Sequence, residues 1–131
     1  MKKIEIFDST LRDGAQSENV SYSVEDKLNI VRALDAIGID YIEAGNPYSN
    51  PKDAEFFRRK GELSLTRSRL VAFGSTRRRG IPVAEDKNCQ AMLEAGVEWV
   101  AVFGKSSEWQ AREVLGATPE ENLEMIADTV A

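Results

Sequence analysis

A short apolar run, a polar turn and a stretch of helical period follow one another four times along this chain, and that alternation restricts its fold more than any other feature. The first run is Ile4-Glu5-Ile6-Phe7. A polar loop leads to Ser23, placed three residues before Asp26 as a helix N-cap, and Val24, Leu28, Val31, Leu34 and Ile37 then recur at helical spacing until Gly38. The second run is Tyr41-Ile42-Glu43-Ala44. Asn50-Pro51 after it offers a cap with proline at the first helical position, ahead of Ala54, Phe56 and Phe57. The third run, Leu70 to Phe73, precedes a helix from about Asp86 to Ala95, ended by Gly96, that carries Met92 and Leu93. The fourth, Trp99 to Phe103, precedes a short helix near Glu108 to Leu115. Thr118-Pro119-Glu120-Glu121 then forms a capping box, with Leu123, Ile126, Ala127 and Val130 as its expected buried stripe.

Four βα units in strict alternation predict an α/β fold with a parallel sheet and right-handed crossovers. Strands that are apolar on both faces suit such a sheet. No linker or low-complexity tract divides residues 1–131, so one domain is expected. Periodicity alone leaves two architectures open, a small doubly wound sheet and the N-terminal half of a (β/α)8 TIM barrel. The sequence stops between Met125 and Ala131 without a glycine or proline stop signal, and a whole barrel needs ~250 residues. The expectation is therefore a truncated barrel.

A net charge of −5 argues against nucleic acid or an anionic membrane as partner. No apolar run approaches the ~20 residues of a membrane span, and Met1-Lys2-Lys3-Ile4 leads into the first strand and not into an apolar leader. A single cysteine, Cys89, cannot form an internal disulfide; it is expected to be a small buried or half-buried residue in a cytoplasmic protein. The chain has no histidine. A His-based triad or an all-His metal site within it is excluded, although carboxylates can still ligate a hard cation.

In α/β folds chemistry collects at the carboxyl ends of the strands, and all four runs here empty into polar sequence at that end. Asp13 could ligate a divalent cation with Arg12 beside it to stabilise an oxyanion, or the two could form a surface pair before Gly14. Glu43, inside an apolar strand, must be paired or functional, because burying it unpaired is costly. Arg77, Arg78 and Arg79 could hold an anionic group such as a 2-oxo acid carboxylate or a coenzyme A phosphate, or form a solvated basic turn. Lys105 is either a loop lysine or a further ligand for substrate.

The stretch Asp8-Ser9-Thr10-Leu11-Arg12-Asp13-Gly14-Ala15-Gln16 resembles the first-strand signature of the metal-dependent acyl-CoA lyases and synthases: 2-isopropylmalate, homocitrate and citramalate synthases and hydroxymethylglutaryl-CoA lyase. The segments Val20 to Lys27, Tyr41 to Asp53, Ala72 to Arg78 and Phe103 to Ser106 are similar to the citramalate synthase branch, so that the resemblance covers essentially all 131 residues. It implies a TIM barrel that condenses acetyl-CoA with a 2-oxo acid, pyruvate giving citramalate, in branched-chain amino-acid biosynthesis. A 2-isopropylmalate or homocitrate synthase or a lyase is the alternative within the family. Outside it, the alternative is a non-catalytic half-barrel that binds or assembles.

By the same resemblance Asp13 is a metal ligand, Arg12 stabilises the enolate or alkoxide oxygen, and Glu43 supports the cluster. Gln16 matches the glutamine lining the site. Thr76, Arg77 and Lys105 are expected to bind substrate from their place at the strand ends, apart from that resemblance. The cofactor implied is a divalent ion, Mg, Mn or Zn. The family's HxH ligand pair has no counterpart in a chain without histidine, so this chain alone is expected neither to retain the ion nor to turn over. Bared sheet edges predict a homo-oligomer.

Overall fold

A computed structural model describes residues 3–131; Met1 and Lys2, part of the expected leaderless start, lie outside the described residues. Its strands are β1 (Phe7–Asp8), β2 (Tyr41–Gly45), β3 (Arg69–Ser75) and β4 (Trp99–Phe103). Its helices are α1 (Val24–Ile37), α2 (Pro51–Arg59), α3 (Lys87–Glu94), α4 (Glu108–Leu115) and α5 (Pro119–Val130). The strands form one parallel sheet in the order β1-β2-β3-β4. No strand is inserted between sequence neighbours, which removes the doubly wound alternative and leaves the half-barrel.

Local chemistry accounts for the helix starts. The Ser23 hydroxyl accepts from the Asp26 N–H at 3.1 Å while the Asp26 carboxylate accepts from the Ser23 N–H at 2.8 Å; such caps contribute about 1 kcal/mol each. The Ser23 hydroxyl also donates to that carboxylate at 2.7 Å, and this bond first, then the Ser23 N–H, holds Asp26 below the usual carboxylate range. Thr118 and Glu121 repeat the arrangement at α5. Asn50 and Asp86 cap α2 and α3 through their side chains.

The core lies between β2, β3 and the first two helices. Ile42, Ala44 and Ala72 pack with Leu28 and Val31 of α1, with Phe56 and Phe57 of α2, and with Leu11 from the first loop, all essentially buried. The other face of the sheet carries Tyr41 between Phe7 and Trp99 (centroids 6.3 and 5.2 Å away), with the Arg69 guanidinium over the Tyr41 and Trp99 rings. Phe7, Trp99 and Phe103 are about half exposed on this face.

Two expectations need correction. The first strand is paired only at Phe7–Asp8, not over Ile4–Phe7. Before Phe7 the backbone turns to a side chain: the Ile6 N–H donates to the Asp40 carboxylate at 2.9 Å, and Ile6 O receives the Asp40 and Tyr41 N–H groups. The buried stripe of α5 is also rotated from the expected one. Asn122 and Met125 are buried, whereas Leu123 and Val130 are 66% and 72% exposed. Polar anchors set that rotation: Asn122 Nδ2 donates to Lys105 O at 2.9 Å, and Thr129 Oγ1 accepts from the Arg77 N–H at 2.9 Å.

Candidate active site

The loop after β1 coils tightly, because Ser9 O accepts the backbone N–H groups of Arg12, Asp13 and Gly14. Leu11 is driven into the core and the residues on either side are turned to the carboxyl rim of the sheet. There Arg12 Nε donates to Glu43 Oε1 and Arg12 Nη1 lies 3.0 Å from Asp13 Oδ1. The guanidinium also sits 4.2 Å over the Phe73 ring, a geometry that favours a cation. Glu43 is 3% exposed and Asp13 is 66% exposed at the side chain. The buried strand carboxylate is thus paired, and its partner is the arginine singled out from sequence.

Gln16 ends a single turn of 3-10 helix in the same loop and is exposed. Thr76 is buried just past β3, its N–H donating to Phe103 O at 3.0 Å. Lys105 Nζ stands 4.5 Å over the Phe103 ring. Thr76, Arg77 and Lys105 share the lining of a cavity of about 270 Å³ with Arg78, Arg79 and Phe103. The three arginines that read as one anion-holding group are engaged separately. Arg77 Nε and Nη2 reach Asp128 Oδ2 at 2.8 and 2.7 Å, Arg78 stacks on Tyr48, and Arg79 pairs with Glu121 at 2.9 Å. Donation from Thr118 N–H, and then from Arg79, holds the Glu121 carboxyl below its usual range.

Sequence reasoning did not give roles to the residues underneath. Lys27, 3% exposed, donates to Leu11 O at 3.0 Å and Ala44 O at 2.8 Å and is ion-paired with Asp53. The other Asp53 oxygen accepts from the Asn46 N–H at 2.8 Å. In the next unit Asn88 accepts from Ser75 N–H at 3.2 Å and donates to Ser75 O at 2.6 Å. Gly45 and Gly74 make room for these two side chains: a Cβ on Gly45 would collide with Asp53, and one on Gly74 with Asn88 and Met92. The signal for Lys27 was present, since a lysine stands between Val24, Leu28 and Val31 on the apolar stripe of α1.

Asp86 completes the second brace, accepting from the N–H groups of Arg78, Asn88 and Cys89. Burial acts to raise its pKa, but those donors, Arg78's first, outweigh it and hold the carboxyl below the usual range. Burial, reinforced by the Asp86 charge, pushes the Cys89 thiol up. With only 4% exposure, Cys89 is the small buried residue expected.

Polar side chains, a paired Arg and Glu among them, stand on the carboxyl ends of consecutive parallel strands, and the class this fold defines is one side of a (β/α)8 barrel. The chain belongs to the HMGL-like family, which matches residues 3–131. It is 50% identical over 126 residues to a protein named (R)-citramalate synthase from Synechocystis sp., covering 96% of this chain and 23% of that one. For the (R)-citramalate synthase of Aquifex aeolicus the figures are 46% over 129 residues, 98% and 24%. A 2-isopropylmalate synthase from Acetivibrio thermocellus is 32% identical over 130 residues, covering 99% and 24%. Among solved structures, hydroxymethylglutaryl-CoA lyase from Pseudomonas aeruginosa superposes with a TM-score of 0.70 at 30% identity, over 95% of this chain and 40% of that one. The chain spans about a quarter of the length of the curated relatives it matches.

The family is metal-dependent. Asp13 is an exposed carboxylate already facing a guanidinium, and among the described residues no cluster of three His, Cys, Asp or Glu could hold an ion. These residues alone therefore do not make a metal site. Among the described residues no helix is long and apolar enough to cross a membrane.

Proposed function

We propose that this chain, acting as one domain, supplies the first half of the catalytic centre of a cytoplasmic synthase that condenses acetyl-CoA with pyruvate to give citramalate. The observation that carries this reading is the Arg12–Glu43 pair on the ends of neighbouring strands. As the enolate of acetyl-CoA attacks the keto carbon of a 2-oxo acid, negative charge grows on oxygen. A planar guanidinium held in place by a buried carboxylate offsets that charge without having to reorganise. Glu43 orients the fork and Asp13 keeps its other side toward the open rim. Gln16, Thr76, Arg77 and Lys105 bind the substrates around it. Asp13 contributes one carboxylate to a divalent ion, Mg, Mn or Zn, whose remaining ligands come from outside this chain.

The test is a chimera in which this chain replaces the matched quarter of the Aquifex aeolicus relative, assayed by pyruvate-dependent release of free coenzyme A. Turnover is expected, with a loss of about 10²–10³-fold on Arg12→Lys because a point charge replaces a rigid fork. A chimera that folds and yields no coenzyme A overturns the reading, as does an Arg12→Lys form with the parent rate. The isolated chain should show no condensation, and turnover by it that Asp13→Ala abolishes would contradict the proposed sharing of the ion.

In isolation the chain associates with itself, because β1 and β4 are open edges beside half-exposed Phe7, Trp99 and Phe103. Two copies pairing β4 of one with β1 of the other would cover both edges. Light scattering at micromolar concentration checks this: a monodisperse species of 14.6 kDa would rule it out.

A further inference from the structure

We propose that Lys27 is a positioning residue, a buried ammonium that fixes how Arg12 and Glu43 face each other. An ammonium has three protons to donate, and here all three are spent, on Leu11 O, Ala44 O and Asp53. Leu11 immediately precedes Arg12, and Ala44 immediately follows Glu43. One cation therefore ties the backbone beside one member of the pair to the backbone beside the other. The register adds a second observation. β2 and β3 pair as Glu43 with Val71 and then Gly45 with Ala72, so Ala44 is the extra residue of a bulge. A bulged residue is left out of the ladder, and the carbonyl of this one turns to Lys27.

Asp53 keeps the ammonium in place and extends the tie to the Asn46 N–H at the exit of β2. Gly45, at φ 149°, lets that carboxylate lie against the strand end. Removing the charge leaves two carbonyls and a carboxylate in the core with no shared donor, and the first loop and β2 lose the contact that sets their separation.

This role rests on the reading that Arg12 and Glu43 do the chemistry, but its test needs no turnover. In the 15N-labelled chain the Arg12 Nε–Hε resonance, assigned by its loss in Arg12→Lys, reports the bond to Glu43; Glu43→Gln shows where it moves when that bond weakens. Lys27→Met should lower the melting temperature and shift this resonance toward the Glu43→Gln position. Lys27→Met combined with Asp53→Leu replaces the ion pair by an apolar pair. It should recover a cooperative melt above that of Lys27→Met, though below the parent because Leu11 O, Ala44 O and the Asn46 N–H lose their partners, while the Arg12 resonance stays displaced.

A double variant with the Arg12 resonance in its original place overturns the proposal, because the pair would then hold itself. A double variant that regains no cooperative melt also overturns it, since Lys27 would then serve overall stability. Failure of the catalytic reading shows separately, in the turnover of the chimera.

Discussion

The two halves of the carboxyl rim hold their polar side chains in different ways. At β1 and β2 the charges face one another, Arg12 against Glu43 and Lys27 against Asp53, and three of those four side chains are at most about 7% exposed. At β3 and β4 the cations are tied outward to α5, Arg77 to Asp128 and Arg79 to Glu121. Thr76 and Ser75 are held there by neutral bonds, through Phe103 O and Asn88. The first half is preorganised by buried charge and the second by a helix packed over it. A buried charge pair is costly to break because the survivor cannot return to water, whereas an exposed pair such as Arg79 with Glu121 is solvated whether or not it forms.

The widest gap between the halves is expected for their ion pairs. Lys27→Met strands Asp53 and should cost about 3–5 kcal/mol of stability, read from urea unfolding monitored at the tryptophans. A loss below 1 kcal/mol would show that water reaches the pair and would erase the contrast.

The opposite end of the same sheet supplies a reference carboxylate. Asp35 accepts from the N–H groups of Ser68, Thr66 and Arg67 at 2.7 to 3.2 Å. These donors, Ser68's first, hold its pKa well below the ordinary value. A depressed carboxylate adds stability that is fully present above the unfolded value near 3.9 and is lost as pH falls toward the folded one. The chain should lose stability below about pH 4, and Asp35→Asn should flatten that acid limb. An acid limb identical in the variant would remove Asp35 from the account.

Asn88→Ala leaves the Ser75 N–H and carbonyl without their side-chain partner, which should cost about 1–3 kcal/mol. Because no charge is stranded, the loss should fall short of that for Lys27→Met; the reverse order would break the comparison. Arg79→Met is the mildest change. Arg79 and its partner Glu121 are 51% and 38% exposed at the side chain, and the loss should be under about 1 kcal/mol and shrink further in salt. A larger loss would mean that α5 depends on this pair.

Much of this architecture was legible in the residues. The Ser23-Asp26 and Thr118-Glu121 boxes, the Asn50-Pro51 start and the β4 bounds at Trp99 and Phe103 came out where they were read. Caps and turns involve residues a few positions apart, so the sequence carries the interaction whole. Glu43 was legible as paired or functional, since a carboxylate between Ile42 and Ala44 is costly to bury alone, but which of the two, and with which partner, was not. Nor was the α5 stripe. Hydrophobic period fixes which residues share a face, but the rotation of the helix follows Asn122 and Thr129 bonding to Lys105 and Arg77 across the fold.

By itself the sequence determined the order and type of the elements and which loops gather at the carboxyl rim, because both follow from local periodicity and chain connectivity. The tertiary structure alone decided partners. Arg77, Arg78 and Arg79 are adjacent in sequence yet go to Asp128, Tyr48 and Glu121, 51, 30 and 42 residues away. Lys27 likewise reaches Leu11 and Asp53, 16 and 26 residues off. A charge pairs with whichever group the packed backbone brings within about 3 Å, and no local pattern encodes that distance.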